Sequence, residues 1–333
     1  MHKRLFEFLC VSCLVVFFPA TLISIVPEQK TETIYEEIYI SHTVGNTQPT
    51  EDTLPPEEQK AVINVSVLKD GAVEQMELEQ YILHVVLAEM PATFELEALK
   101  AQAVVARTYT VRRQNGKSKH EQAAVCTDAS CCQAFKTPAS FLQDGGTTTE
   151  LERVTEAVRQ TEGQVLLYNG ELIEATYFSC SGGMTEDAAA VWGADIPYLK
   201  ATESPGEEGA NHFVDTVYFT KETFEKALGR DIAGSPDIWF GAITYTSGQG
   251  INTIDIGGII YKGTVVRQLL GLRSTAFVVT AIGNTIVITT KGYGHRVGMS
   301  QYGADAMAVQ GCDYKEILLH YYSGTELSRI SID

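Results

Sequence analysis

The sequence predicts an α+β fold of mixed, mostly antiparallel strands with several helices. Three observations carry that reading. Period-two runs, such as residues 61–68 (AVINVSVL), stand beside period-3.6 runs, such as residues 77–90. Asn169-Gly170 and Gly283-Asn284 each join two strand-like runs through a hairpin-sized turn. Helices and hairpins are mixed and do not alternate as βαβ units, which favours α+β over a doubly wound sheet.

The chain divides before it folds. Met1-His2-Lys3-Arg4 is basic, and residues 8–26 carry no charge and are rich in Leu, Val, Phe and Ile. About 20 apolar residues span a bilayer as a helix. No A-x-A pattern follows Ile25 and no lipobox precedes Cys10 or Cys13. The expectation is therefore an uncleaved, single-pass membrane anchor at 8–26, with residues 1–7 cytoplasmic and the rest outside. Residues 27–60 collect Glu28, Glu32, Glu36, Glu37, Glu51, Asp52, Glu57 and Glu58 against Lys30 and Lys60, with Pro49, Pro55 and Pro56. Such a segment buries too little apolar surface to order itself and reads as an acidic linker. Residues 61–333 form the folded domain.

Within it, a strand at 61–68 turns at Lys69-Asp70-Gly71 into a short second strand. The helix at 77–90 puts Tyr81, Ile82, Val85, Val86 and Met90 on one face, and Pro91 stops it. Thr93 is the expected N-cap of a second helix running to Arg113, with Asn115-Gly116 ending it. A short helix at 155–162 precedes strands at 164–168 and 171–178. Further strands are expected at 238–246, 253–261, 276–282 and 285–290. Further helices are expected at 221–228, 264–270, 301–310 and 314–321.

Composition removes some functions. The hydrophobic share of 44% suits a globular core, but the net charge is −17 and the pI about 4.8. That argues against a non-specific nucleic-acid binder, and attraction to an anionic membrane or wall polymer is disfavoured. H-E-x-x-H, Walker and G-x-S-x-G motifs are absent. Gly292-x-Gly294 starts a run one residue off the dinucleotide fingerprint.

Three constellations remain. His120, Cys126, Cys131 and Cys132 place four soft or borderline ligands within thirteen residues. They suit a structural zinc ion, while an extracytoplasmic disulfide or free thiols remain alternatives. Glu89 falls at the end of the first helix, where the negative end of the helix dipole disfavours ionisation, as a general acid requires. The competing reading is a solvated surface glutamate. Finally, residues 291–304 (KGYGHRVGMSQYGA) and 177–183 (YFSCSGG) are glycine-rich runs whose polar and aromatic groups suit sugar hydroxyls and ring faces. Structural glycine turns are the plainer explanation.

The stretch around Glu89 with EALKAQAVVARTY, the TYFSCSGGMTE run and the GYGHRVGMSQYGADAMA run resemble the SpoIID/LytB family, and GTVVRQLLGLRS is a weaker fourth block. The resemblance spans residue 61 to the C-terminus. It implies a two-lobed domain with a glycan-binding cleft. It also implies a lytic transglycosylase that cuts peptidoglycan between N-acetylmuramic acid and N-acetylglucosamine, with Glu89 as its catalytic glutamate. Tyr177, Ser181, Lys291, His295 and Gln301 are the expected groove residues. His120, Cys126 and Cys132 match a zinc site of clostridial-type relatives, and Cys131 stands where some relatives carry His. Implied partners are peptidoglycan glycan strands, preferably stripped of stem peptides, the amidase SpoIIP and the membrane protein SpoIIM, at the engulfing mother-cell membrane. A non-catalytic, amidase-stimulating or wall-binding module is the main alternative, and a zinc hydrolase acting on stem peptides is another. Lys100 and Arg107, on the second helix, are expected to pair with surface acids rather than with Glu89.

Overall fold

A computed structural model describes residues 62–330. The expected anchor at 8–26 and linker at 27–60 lie outside the described residues. Among the described residues no helix is long and apolar enough to cross a membrane.

The described residues start with a hairpin, β1 (Asn64–Lys69) and β2 (Ala72–Glu77), around Asp70-Gly71, both at positive φ. Helix α1 (Leu78–Glu89) follows directly, and α2 (Leu96–Arg112) lies at the centre of the main core. Ala98, Leu99, Ala101, Ala103, Val104, Val105 and Ala106 are all buried, and so are the polar Gln102, Arg107, Thr108 and Thr110, so α2 is buried nearly all round. Its alanines let neighbours approach closely. A π turn over Arg113–Lys117 leads through Gly116 (φ 92°) to β3 (Val125–Cys126), which pairs parallel to β1. Next come α3 (Pro138–Gln143) and α4 (Thr148–Gln160), the latter opened by a Thr147/Glu150 capping box worth about 1 kcal/mol. Strands β4 (Gln164–Tyr168), β5 (Glu171–Leu172) and β6 (Tyr177–Phe178) precede α5 (Ala188–Trp192).

A second unit follows. Its elements are β7 (Val214–Thr220), α6 (Lys221–Leu228), β8 (Phe240–Tyr245), β9 (Ile251–Ile256), β10 (Ile259–Lys262), α7 (Gly263–Leu270), β11 (Phe277–Ile282) and β12 (Thr285–Lys291). The two sheets, β10-β9-β8 and β11-β12-β7, are antiparallel. They enclose a separate cluster around Phe224, Trp239, Ile254, Ile256, Val266, Ile286 and Ile288. The chain then returns to the main core with β13 (Met299–Ser300), parallel to β6, then α8 (Gln301–Val309), α9 (Tyr314–Tyr321) and β14 (Glu326–Arg329), which joins β4 and β5. Helices α1, α4, α8 and α9 all pack on α2. The described residues are thus mixed α+β with mostly antiparallel sheets and two hydrophobic clusters.

Arg296 bolts the two units together. It is buried at a left-handed φ of 66° and donates to the carbonyls of Ser181 (2.8 Å), Met184 (2.7 Å) and Gly248 (2.6 Å). Glu186, 3.8 Å from its Nη1, accepts from Thr246 Oγ1 (2.6 Å) and Gly250 N (3.2 Å). Gly248 is required there, because a Cβ would lie 2.2 Å from the Thr185 carbonyl.

Several boundaries differ from the sequence expectation. The strand expected at 253–261 is a hairpin, because Gly257 (φ 57°) and Gly258 (φ 80°) turn the chain between β9 and β10. The helix expected at 155–162 begins at Thr148, where the capping box is formed. Glu95, not Thr93, caps α2; it makes no side-chain cap bond, and its N–H donates to Asp305 Oδ1 at 2.7 Å. Arg107 does not pair with a surface acid. It is fully buried and clamps Glu79 through Nε (2.8 Å) and Nη2 (2.6 Å). Lys100 pairs with Glu97 at 2.6 Å.

Candidate active site

Glu89 is the last residue of α1, and Met90 turns extended (φ −127°, ψ 137°) ahead of Pro91. This break leaves the carboxylate half-buried at the end of the helix. It accepts one backbone hydrogen bond, from Ala134 N at 2.6 Å. Burial raises its pKa above the ordinary carboxylate value; the Ala134 N–H and the neighbouring Tyr177 hydroxyl oppose the rise without cancelling it. Burial is thus the main cause, where the sequence had pointed to the helix dipole. No cation pairs with Glu89 among the described residues.

Two cavities meet at Glu89. The larger, about 1120 Å³, runs past Tyr177, Trp192, Tyr293 and His295. The smaller, about 340 Å³, is lined by Pro91, Phe94, Phe141 and Tyr302. Glu89, Ser179, His212 and Gln301 line both. The other carboxylate facing the larger cavity, Glu174, is held by Arg112 Nε at 3.1 Å and by Arg113 Nη2. Glu89 is therefore the one lining carboxylate among the described residues without a guanidinium partner.

The expected groove residues separate into two sets. Tyr177, His295 and Gln301 line the larger cavity. The Tyr177 hydroxyl donates to Gln133 Oε1 at 3.2 Å, and Gln133 Nε2 donates to Thr110 Oγ1 at 3.0 Å, so the phenol is held in place beside Glu89. Burial pushes the His295 pKa down to about 4, with Arg267 adding to the effect, so its ring is neutral at physiological pH. The ring packs against Trp192 at 5.4 Å and Phe178 at 5.6 Å. Ser181 and Lys291 do not line either cavity. Ser181 is fully buried and donates through N (2.9 Å) and Oγ (2.7 Å) to Glu207, which also holds Gly182 N (2.8 Å) and Ser204 Oγ (2.8 Å). The SCSGG run is thus a loop pinned on a buried carboxylate. Lys291 is an exposed residue at the end of β12. Residues missing from the sequence reading include Trp192 and Tyr293, 44% and 43% exposed at the cavity, His212 and Arg267. A lone Trp before a glycine (Trp192-Gly193) was the one local signal for the first of them.

His120, Cys126, Cys131 and Cys132 converge, with ligand atoms all within 4.8 Å of one another. His120 Nε2 lies 3.7 Å from Cys131 Sγ and 3.4 Å from Cys132 Sγ, and the two sulfurs are 3.9 Å apart. A tetrahedral zinc ion with ordinary bond lengths sets S···S edges of ~3.8 Å and N···S edges of ~3.5 Å, so the donor set fits that ion. The cysteines of the described residues are all free, and a 3.9 Å sulfur separation is far from a disulfide bond of about 2 Å. The cluster abuts the cavity: Cys131 and Cys132 line it, and the next two residues, Gln133 and Ala134, hold Tyr177 and Glu89.

Fold and site together define a mixed α+β protein with a half-buried, cation-free glutamate between two cavities and a soft-ligand cluster in the cavity wall. The profile of the family described as "SpoIID: Stage II sporulation protein" matches residues 69–168. The chain is 38% identical over 330 residues to "Stage II sporulation protein D" of Bacillus subtilis (strain 168), covering 96% of this chain and 94% of that one. It is 40% identical over 293 residues to the protein of the same name from Bacillus amyloliquefaciens, covering 86% and 84%. An "Amidase enhancer" of Bacillus subtilis (strain 168) is 30% identical over 299 residues, 72% of this chain and 39% of that protein. The chain belongs to the SpoIID family of sporulation proteins, which is related to the amidase enhancer.

Proposed function

We propose that this protein is a peptidoglycan lytic transglycosylase that acts through Glu89 alone, in wall remodelling during sporulation. The observation that carries the proposal is the position of Glu89, with a raised pKa and no cation, on the boundary shared by two cavities. A glycan strand crossing that boundary presents its glycosidic oxygen to the carboxyl group. Ordinary glycosidases need a second carboxylate as nucleophile or base. Glu174 is held between two arginines, so the single-acid route fits best. Glu89 donates its proton to the bridging oxygen as the C1–O bond breaks. It then takes the proton of the muramoyl C6 hydroxyl, which attacks C1 and closes the 1,6-anhydro ring. The internal nucleophile acts at high effective concentration and no water is consumed. A carboxyl that gives and then recovers a proton works best with a pKa moved up toward neutrality, the direction burial supplies here.

In the same reading, His120, Cys126, Cys131 and Cys132 hold a zinc ion that braces the loop carrying Gln133 and Ala134. Four protein ligands leave no open position for catalysis. The decisive experiment digests stem-peptide-free peptidoglycan and identifies the new ends by mass spectrometry. Anhydromuramoyl ends are expected, and they should vanish in Glu89→Gln. Reducing ends would mark a hydrolase, and no new ends would favour the non-catalytic, amidase-stimulating module to which the likeness to the amidase enhancer points.

A further inference from the structure

Arg267 is the feature of the cavity that the proposed chemistry leaves unused. It projects from α7 of the second unit, in the GTVVRQLLGLRS block, and lines the larger cavity. Acids outnumber bases 42 to 25 in this chain, yet no carboxylate of the described residues pairs with it. Its Nε donates to the Leu272 carbonyl at 3.3 Å, and no protein acceptor among the described residues takes its two terminal nitrogens. The other cavity cations differ. Arg113 is held by Glu174, and Lys119 donates to the Cys131 carbonyl. Around Arg267 the cavity wall is aromatic: Tyr293 and His295 are its electrostatic neighbours, and His295 leads on to Trp192. His295 is neutral and does not compete for an anion. A half-buried guanidinium with free terminal N–H groups, set beside exposed aromatic rings, is built to receive an anionic sugar.

We propose that Arg267 is a specificity-determining residue that pairs with the free lactyl carboxylate of a muramoyl residue whose stem peptide has been removed. The inference rests on the glycan-cleaving reading above. Muramic acid carries a 3-O-lactyl group whose carboxyl is ionised when free and is an amide when a peptide is attached. The planar guanidinium fork matches a carboxylate with two parallel charge-assisted bonds. An amide offers it one neutral acceptor and turns an N–H donor toward its own donors. The site therefore reads the removal of the peptide directly at the sugar. The protein's overall negative charge supplies a different explanation for the same preference, repulsion of stem-peptide carboxylates, and the two make opposite predictions for one substrate.

That substrate is a peptide-free glycan strand whose lactyl carboxylates have been coupled to methylamine. It carries no peptide and less negative charge than the untreated strand. Repulsion predicts equal or better binding of the amidated strand; pairing with Arg267 predicts worse. Binding of both strands to full-length Glu89→Gln protein, by calorimetry, separates recognition from cleavage. The untreated strand is expected to bind about tenfold more tightly or better, a difference in the range of a charge-assisted pair. Adding Arg267→Gln should remove the preference by weakening the untreated strand alone, and Arg267→Lys should keep part of it. Equal affinity for both strands with Arg267 intact overturns the proposal, whatever the variants do. An undiminished preference in a folded Arg267→Gln protein overturns it as well. If the preference holds while the native enzyme leaves reducing ends, the transglycosylase reading fails and this one stands.

Discussion

Helix α1 carries two glutamates ten residues apart, and their surroundings are opposite. Glu79, in the first turn, is clamped by the buried Arg107 through both carboxylate oxygens and also accepts Gly163 N at 3.1 Å. Arg107 reaches on to the carbonyls of Gln164 (3.2 Å) and Val158 (3.5 Å), so the pair fastens α1 and α2 to α4 and β4. Glu89, in the last turn, has one backbone donor and a phenol for company. The first glutamate is spent on holding the core. The second is left with a raised pKa and no cation to neutralise it. The difference lies in the partner, not in residue type or depth alone.

The sharpest way to break this contrast is to exchange each acid for its amide. Glu89→Gln should lower transglycosylation by at least about 10²-fold while the protein stays folded, measured as anhydromuramoyl ends per minute. It should also raise the melting temperature at pH 7. A carboxyl whose folded pKa lies above its unfolded value binds an extra proton when folded, so its contribution to stability falls as pH rises through that window. The gain in Glu89→Gln should shrink as pH is lowered and vanish below pH 4.5, the ordinary value. A destabilised Glu89→Gln at pH 7 would place Glu89 with Glu79 as a structural group.

Arg107→Met tests the other side. Removing one partner of a buried pair strands the other, at a cost of about 3–5 kcal/mol by denaturant unfolding. If Arg107→Met left stability unchanged but abolished cleavage, Arg107 would belong to the site and the contrast would collapse. Loss of the proposed zinc should act on the Glu89 end only. Cys126→Ser, or chelation, should release about one zinc per chain and lower the melting temperature. It should also loosen the Ala134–Glu89 contact, read as faster amide exchange at Ala134 than at Gly163, the N–H that serves Glu79. The smallest effect concerns pH alone. His84 and His295 are both held down to about 4 by burial. Their folded pKa values lie below the unfolded 6.5, so stability should fall as pH drops from 6.5 toward 4, and His84→Gln should flatten that slope.

Local signals were legible where one element decides them. The amphipathic period gave Lys221–Leu228 and Tyr314–Tyr321, and Asn169-Gly170 gave the turn between β4 and β5. The position of Glu89 at a helix end followed from Pro91. What the sequence hid depends on distant partners. Arg107 looked like a surface cation because Glu79 lies a whole helix away. Ser181 looked like a sugar ligand because Glu207, which consumes its hydroxyl, lies in an unremarked loop. Gly257-Gly258 sat inside an unbroken β-rich run, so the turn went unread. Trp192 and Arg267 come from segments far apart in the chain and only the packing of the two units brings both to the cavity.

The second unit enters through Val214 and leaves through Lys291, and those two residues are direct partners in the β7–β12 ladder. Entry and exit are therefore about 5 Å apart. A segment with its own hydrophobic cluster and adjoining ends is a cartridge: a short glycine bridge could replace it without rethreading the core. Natural selection or a designer can then exchange the part that carries Arg267, and with it the proposed pairing with the lactyl carboxylate, while Glu89 on α1 stays where it is.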